Sequence, residues 1–180
     1  MINRVAEQLR EITSWPRAAI MLIVTIILLV AYFQYIGPLE EYGGGAPHLD
    51  VRFGVGYSHA DVLKYFDTLG VEGRAFYAKT TLFDTIWPLC IGVCGALWAP
   101  LAFHNNFWVV VAAASPVLFG ILDLLENIGL WIMLSQYPEI SQSVASVGNA
   151  ITLVKQAMIP GWVLSIPGLP IIAIFRRLLG

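Results

Sequence analysis

Charge is scarce in this chain of 180 residues: Lys, Arg, Asp and Glu together make up 12% of it, roughly half the share in ordinary soluble domains. With 58% of residues apolar and a mean hydropathy of +0.73, a soluble globule and a disordered chain are both excluded. Cysteine is limited to Cys90 and Cys94, too few for a disulfide framework. They lie one helical turn apart rather than at C-x-x-C redox spacing, so they read as small packing residues. Basic residues form no stripe, and a net charge of -2 leaves nothing to neutralise phosphates, which excludes a nucleic-acid binder. Glycine and proline follow no period, so collagen-like classes fall away. The chain also lacks a Walker loop, a Rossmann fingerprint, a nucleophile elbow and an H-E-x-x-H motif.

What the chain has is apolar length. A membrane-spanning helix needs about 20 apolar residues, because each adds ~1.5 Å and the hydrocarbon layer is ~30 Å thick. Four stretches meet that requirement: 18–36, 80–103, 107–134 and 147–175. The first holds no charge and follows Ser14, Trp15 and Pro16, an N-cap, an interfacial aromatic and a first-turn proline. Its apolar run exceeds the core of a signal peptide and no A-x-A-like site closes it, so it reads as an anchor. Pro160, Pro167 and Pro170 supply kink sites in the fourth. Ahead of the first span, Ile2, Val5, Leu9 and Ile12 recur at helical spacing opposite Arg4, Glu7, Gln8, Arg10 and Glu11. Residues 1–13 therefore read either as an amphipathic segment on the membrane surface or as a frayed tail.

The long connection over 38–79 contains the Gly43, Gly44, Gly45 run and then Ser58 and Asp61 at capping-box spacing. The pattern predicts a helix over 59–69, with Val62, Tyr65, Phe66 and Leu69 on one face and Gly70 as its stop. Such a helix is expected to lie across the outer ends of the bundle or on lipid headgroups. Arg4, Arg10, Arg17, Arg176 and Arg177 in the two tails are denser than Arg52, Lys64, Arg74 and Lys79 of the long loop. That bias predicts both termini in the cytoplasm. No internal repeat is visible, and a single membrane domain is expected.

An ionisable group inside a span costs roughly 2.5–3.5 kcal/mol on insertion scales. Asp84, Asp123, Glu126 and Lys155 are four such groups, accompanied by the amides Asn127 and Gln156. Because successive spans alternate in direction, Asp84 falls ~6 Å below the long-loop side, and Glu126 and Lys155 ~12 Å below that same side. Asp123 is one turn deeper. Three helices thus place charge in one layer. Asp123, Glu126 and Asn127 are spaced by three and four residues, share one helix face and must point inward. Lys155 can neutralise one carboxylate, most simply Glu126. The remaining negative charge calls for protons, a loop cation (Arg52, Arg74 or Lys79), a bound cation or a cationic ligand. Pro160 removes the ladder donor of the Gln156 carbonyl and so adds an acceptor nearby. Trp87 and Trp131, one turn from the acids, and Tyr32, Gln34 and Tyr35 in the first span are candidate wall residues. His48, His59 and His104 fall on two sides of the membrane and form no metal set. Gly92 with Ala96, and Gly95 with Ala99, mark a close helix contact or a self-association surface.

The runs G-V-E-G-R-A-F-Y from Gly70, F-D-T-I-W-P from Phe83 and D-L-L-E-N from Asp123 resemble small four-span integral membrane proteins of bacterial type, a group without an assigned activity. The resemblance covers about half the chain and implies topology rather than chemistry. Carboxylates inside a bundle of this size are similar in theme to the sterol-isomerase and emopamil-binding group, whose intramembrane acids stabilise a cationic intermediate or bind amines. That likeness aligns no motif and assigns no catalytic residue here.

The expected architecture is an all-α membrane protein, four transmembrane helices in an antiparallel bundle with an amphipathic outer-loop helix. The expected ligand-binding residues are Asp84, Asp123, Glu126, Asn127, Lys155, Gln156, Trp87 and Trp131, holding a small amphiphile, a lipid headgroup or a polar element of a partner. Two alternatives stay open. One is a membrane enzyme in which Asp123 or Glu126 donates or accepts a proton on a lipid-like substrate. The other is an accessory subunit of a membrane complex whose ion pairs only fasten helices. No cofactor or metal is implied. The expected partners are the lipid bilayer and a lipid, a membrane protein or a second copy, and the expected location is the cytoplasmic (inner) cell membrane.

Overall fold

Backbone N–H and C=O groups placed in hydrocarbon must be satisfied within their own segment, which a helix accomplishes. The computed structural model describes residues 1–49, 52 and 54–179. Its elements are α1 (Ile2–Ile12), α2 (Trp15–Tyr42), α3 (His59–Asp84), α4 (Ile86–Ala102), α5 (Asn106–Gln136) and α6 (Gln142–Leu179). Among the described residues there is no strand. Four helical stretches are long and apolar enough to cross a membrane: Trp15–Tyr42, His59–Ala102, Asn106–Gln136 and Gln142–Leu179. The side chains of α2 carry the argument further, since Ile20, Ile23, Ile27 and Phe33 are each more than half exposed. In water such surface would forfeit about 25 cal/mol per Å²; against acyl chains it costs nothing. These features support a multi-pass membrane protein.

The chain groups into two compact units. One comprises Met1–Leu29, Trp87–Ile121 and Met158–Gly180, the other Val30–Ile86 and Leu122–Ala157.

The first unit has a core of small residues and tryptophan: Ala18, Cys94, Trp98, Ala99, Ala113 and Ala173 are all nearly inaccessible. Small side chains let α4 and α5 approach closely. A Cβ at Gly92 would sit 3.3 Å from the Val117 Cα, and one at Gly120 would sit 2.7 Å from the Pro88 carbonyl oxygen. The Gly92 and Gly95 positions thus serve a contact within the chain. The N-terminal segment is helical, with Ala6 fully buried. Arg10 donates to the Asn106 side chain and, at 2.7 Å, to the His104 carbonyl, which anchors α1 on the α4–α5 turn.

The second unit is built on a larger core that includes Leu39, Leu49, Val62, Phe66, Leu130 and Met133. Its α2 segment continues past 36 to Tyr42, with Pro38 inside the helix. The extension follows from Leu39, only 1% exposed within this core, a packing gain that hydropathy alone does not register. The start of α3 carries the expected capping box between Ser58 and Asp61. Gly70, at φ 61°, ψ -173°, breaks the helical path inside α3, and the Arg74 guanidinium donates to the Phe66 carbonyl across the break at 2.7 Å. Beyond it the chain runs on as helix to Asp84. Pro88 has no N–H for the Asp84 carbonyl, and the ladder is interrupted there before α4 begins.

Candidate functional site

One cluster of polar residues in the second unit draws on three helices, Asp84 from α3, Asp123, Glu126 and Asn127 from α5, and Thr152, Lys155 and Gln156 from α6. All are buried, from 0% exposed for Asn127 and Thr152 to 8% for Gln156. Lys155 Nζ lies 3.0 Å from Asp123 Oδ1 and also forms an ion pair with Glu126. Glu126 accepts a further hydrogen bond from the Thr152 hydroxyl. Asn127 Nδ2 faces Asp84 Oδ2 at 3.3 Å and Asp123 Oδ2 at 3.2 Å, with Thr85 Oγ1 at 3.4 Å. The amide therefore stands between two carboxylates that would otherwise repel one another, while one ammonium serves Asp123 and Glu126.

Three carboxylates meet a single ammonium, and Asn127 Oδ1 is buried without a hydrogen-bond partner. A desolvated acceptor of this kind forfeits roughly 1–3 kcal/mol relative to a satisfied one. The layer can thus take up a donor or a positive charge. Among the described residues, no group of three or more His, Cys, Asp or Glu side chains is arranged to hold a metal ion.

The other expected residues are distributed around this layer. Trp131 donates to the Ala78 carbonyl at 3.3 Å, joining α5 to α3. Tyr32 stacks on Phe83 with ring centroids 6.2 Å apart, and Tyr35 packs on Phe76 and Phe83, an aromatic wall beside Asp84. Trp87 belongs to the first unit, where its ring packs on Phe119 and Trp162. Gln156 turns to the long connection and accepts from the Gly54 N–H at 2.8 Å.

Two polar residues of α6 escaped the reading of the chain: Thr152, which bonds Glu126, and Asn149, which accepts from the Tyr57 N–H at 2.7 Å. Asn149, Thr152 and Gln156 recur at helical spacing in an apolar span, the signal that could have found them. Asn149 also helps to line a polar cavity of about 590 Å³ with Arg52, Ser58, His59, Asp61 and Ser146. In it Arg52 and Asp61 pair at 3.3 Å, and His59 Nε2 meets the Ile140 carbonyl at 2.7 Å. A polar stripe on α6 hence runs from this cavity, through Thr152, to the charged layer.

The fold and this layer together define a multi-pass membrane protein with a buried, acid-rich polar core. Compared with protein-family models, curated proteins and solved structures, the chain has no match.

Proposed function

We propose that the layer of Asp84, Asp123, Glu126, Asn127 and Lys155 binds a positively charged, hydrogen-bond-donating group: the head of a small amphiphile or lipid, or a cationic element of a partner. The observation that carries the reading is the buried, unpartnered Asn127 Oδ1 beside two carboxylates. The polar stripe from Asn149 to Thr152 supports entry from the side of the long connection. In this reading the spans form an antiparallel bundle in the cytoplasmic membrane, the 59–69 helix covers its outer end, and both termini are cytoplasmic. Tags at either end would then be reached by protease only in inside-out vesicles.

The test is Asp123→Asn, which keeps shape and removes charge. Protein purified in a maltoside detergent is analysed by mass spectrometry for retained amine-bearing amphiphiles. Retention by wild type and loss in a variant of unchanged helicity supports the reading; equal retention in both overturns it. A second reading has its own observation, since Glu126 is tied to both Lys155 and Thr152: the layer fastens three helices and binds nothing. It predicts that Asp123→Asn impairs folding and that wild type retains no such molecule.

A further inference from the structure

His48 lies outside the charged layer. It is 7% exposed, its Nε2 has no hydrogen-bond partner, and its ring is near Tyr77, with centroids 6.4 Å apart. A buried imidazole nitrogen left without a partner is costly. His48 also lines a cavity of about 500 Å³ formed by Phe33, Ile36, Gly37 and Glu40 of α2 and by the Gly45–Pro47 turn. That volume is in the range of small-molecule sites.

The α2 residues recur at three- and four-residue spacing and so share one face. Along ~10 Å of helix this face changes from apolar at Phe33 and Ile36 to acidic at Glu40. Phe33 is 61% exposed, so the apolar end opens to the acyl chains around α2. Glu40 carries the only formal charge among the described lining residues, and the C-terminal end of α2 adds partial negative charge. An anionic head is therefore repelled, and a cationic one attracted. With its proton on Nδ1 an imidazole presents Nε2 as an acceptor that suits an ammonium N–H, while Glu40 disfavours the anions that the other tautomer would bind.

From this the geometry points to a site for a single-chain amphiphile with a primary ammonium head, its head at Glu40 and His48 and its chain along Gly37, Ile36 and Phe33. None of these residues belongs to the Asp84–Lys155 layer, so this site stands or falls separately. Gly37 supplies the means to close it. A Cβ built there meets nothing within 4 Å beyond its chain neighbours, so a bulky side chain has the cavity to enter, at the local cost of a Cβ before Pro38.

The experiment is titration of the full chain in maltoside micelles with dodecylamine, dodecanoate, dodecanol and ethylamine. The readout is the imidazole NMR signal of His48, assigned by its disappearance in His48→Gln. Dodecylamine is expected to shift that signal saturably. Glu40→Gln should weaken binding about tenfold, and Gly37→Phe should abolish it while the helical circular dichroism is retained. Asp123→Asn should leave it unchanged, which separates this site from the buried layer. No saturable shift, equal binding of dodecanoate or dodecanol, equal binding of ethylamine, or retained binding in Gly37→Phe would each overturn the assignment. If Gly37→Phe fails to fold, Gly37→Val serves as the smaller plug, with a partial loss of affinity expected and full affinity counting against the site.

Discussion

Lys155 Nζ lies 3.0 Å from Asp123 Oδ1 and is paired at the same time with Glu126, so one ammonium from α6 holds two carboxylates one turn apart on α5. Removing a single partner from such a buried cluster leaves uncompensated charge, which costs about 3–5 kcal/mol, far more than the net worth of the pair. Lys155→Met should therefore destabilise the protein by roughly that amount in denaturant titrations in mixed micelles. Adding Glu126→Gln to Lys155→Met should recover part of the loss. Strict additivity of the two changes would show that the pair is not coupled.

Asn127 separates Asp84 from Asp123 by donating toward both. Asn127→Leu keeps the volume and removes the donor, with an expected loss of about 1–3 kcal/mol. The loss should shrink in an Asp123→Asn background, where the like-charge contact is gone. A double-mutant cycle of unfolding free energies measures this coupling directly.

Two glycines of the spans should respond to alanine to different extents. At Gly120 the new Cβ would lie 2.7 Å from the Pro88 carbonyl oxygen and 3.2 Å from its carbon, both backbone atoms that cannot rotate away. Overpacking of this sort costs about 1–3 kcal/mol. At Gly37 nothing beyond its chain neighbours lies within 4 Å, so the helix-propensity gain of about 0.5–1 kcal/mol is opposed only by contact of the new Cβ with the Pro38 ring, and Gly37→Ala should change stability less than Gly120→Ala. Melting temperatures of the two variants, side by side, decide the matter.

The turn leading to α3 is clasped to α6 through Gly54 on Gln156 and Tyr57 on Asn149. Gly56 between them has φ +65°, and a Cβ there would overlap the Asn149 side chain. Gly56→Ala should release the turn and speed limited proteolysis within 54–58, with circular dichroism of the helices unchanged. Asn149→Ala should act in the same direction, since it leaves the Tyr57 N–H without its acceptor. Unaltered cleavage in both variants would refute the clasp.

Much of the candidate layer could be read before any coordinates. Charges are rare in the spans, so Asp84, Asp123, Glu126 and Lys155 stand out, and helical spacing alone puts Asp123, Glu126 and Asn127 on one face. Thr152 did not stand out because threonine in an apolar helix commonly bonds its own backbone, as Thr25 does with the Met21 carbonyl at 2.7 Å. Trp87 follows Asp84 by three residues, and its ring packing on Phe119 and Trp162 is a feature that sequence spacing does not carry. The end of α2 was hidden for a similar reason, because Leu39 is held by packing that a hydropathy window does not contain.

The sequence by itself determined that this chain contains helices able to cross a membrane and that the few charges inside its apolar runs fall in three of them, because transfer cost and helical period are properties of residues and their order. Tertiary structure alone decided that Lys155 serves both Asp123 and Glu126, that Asn127 stands between two acids, and that Gln156 accepts from the Gly54 N–H. Those pairings depend on helix rotation and on separations of a few ångströms between residues up to about a hundred positions apart, which no local pattern encodes.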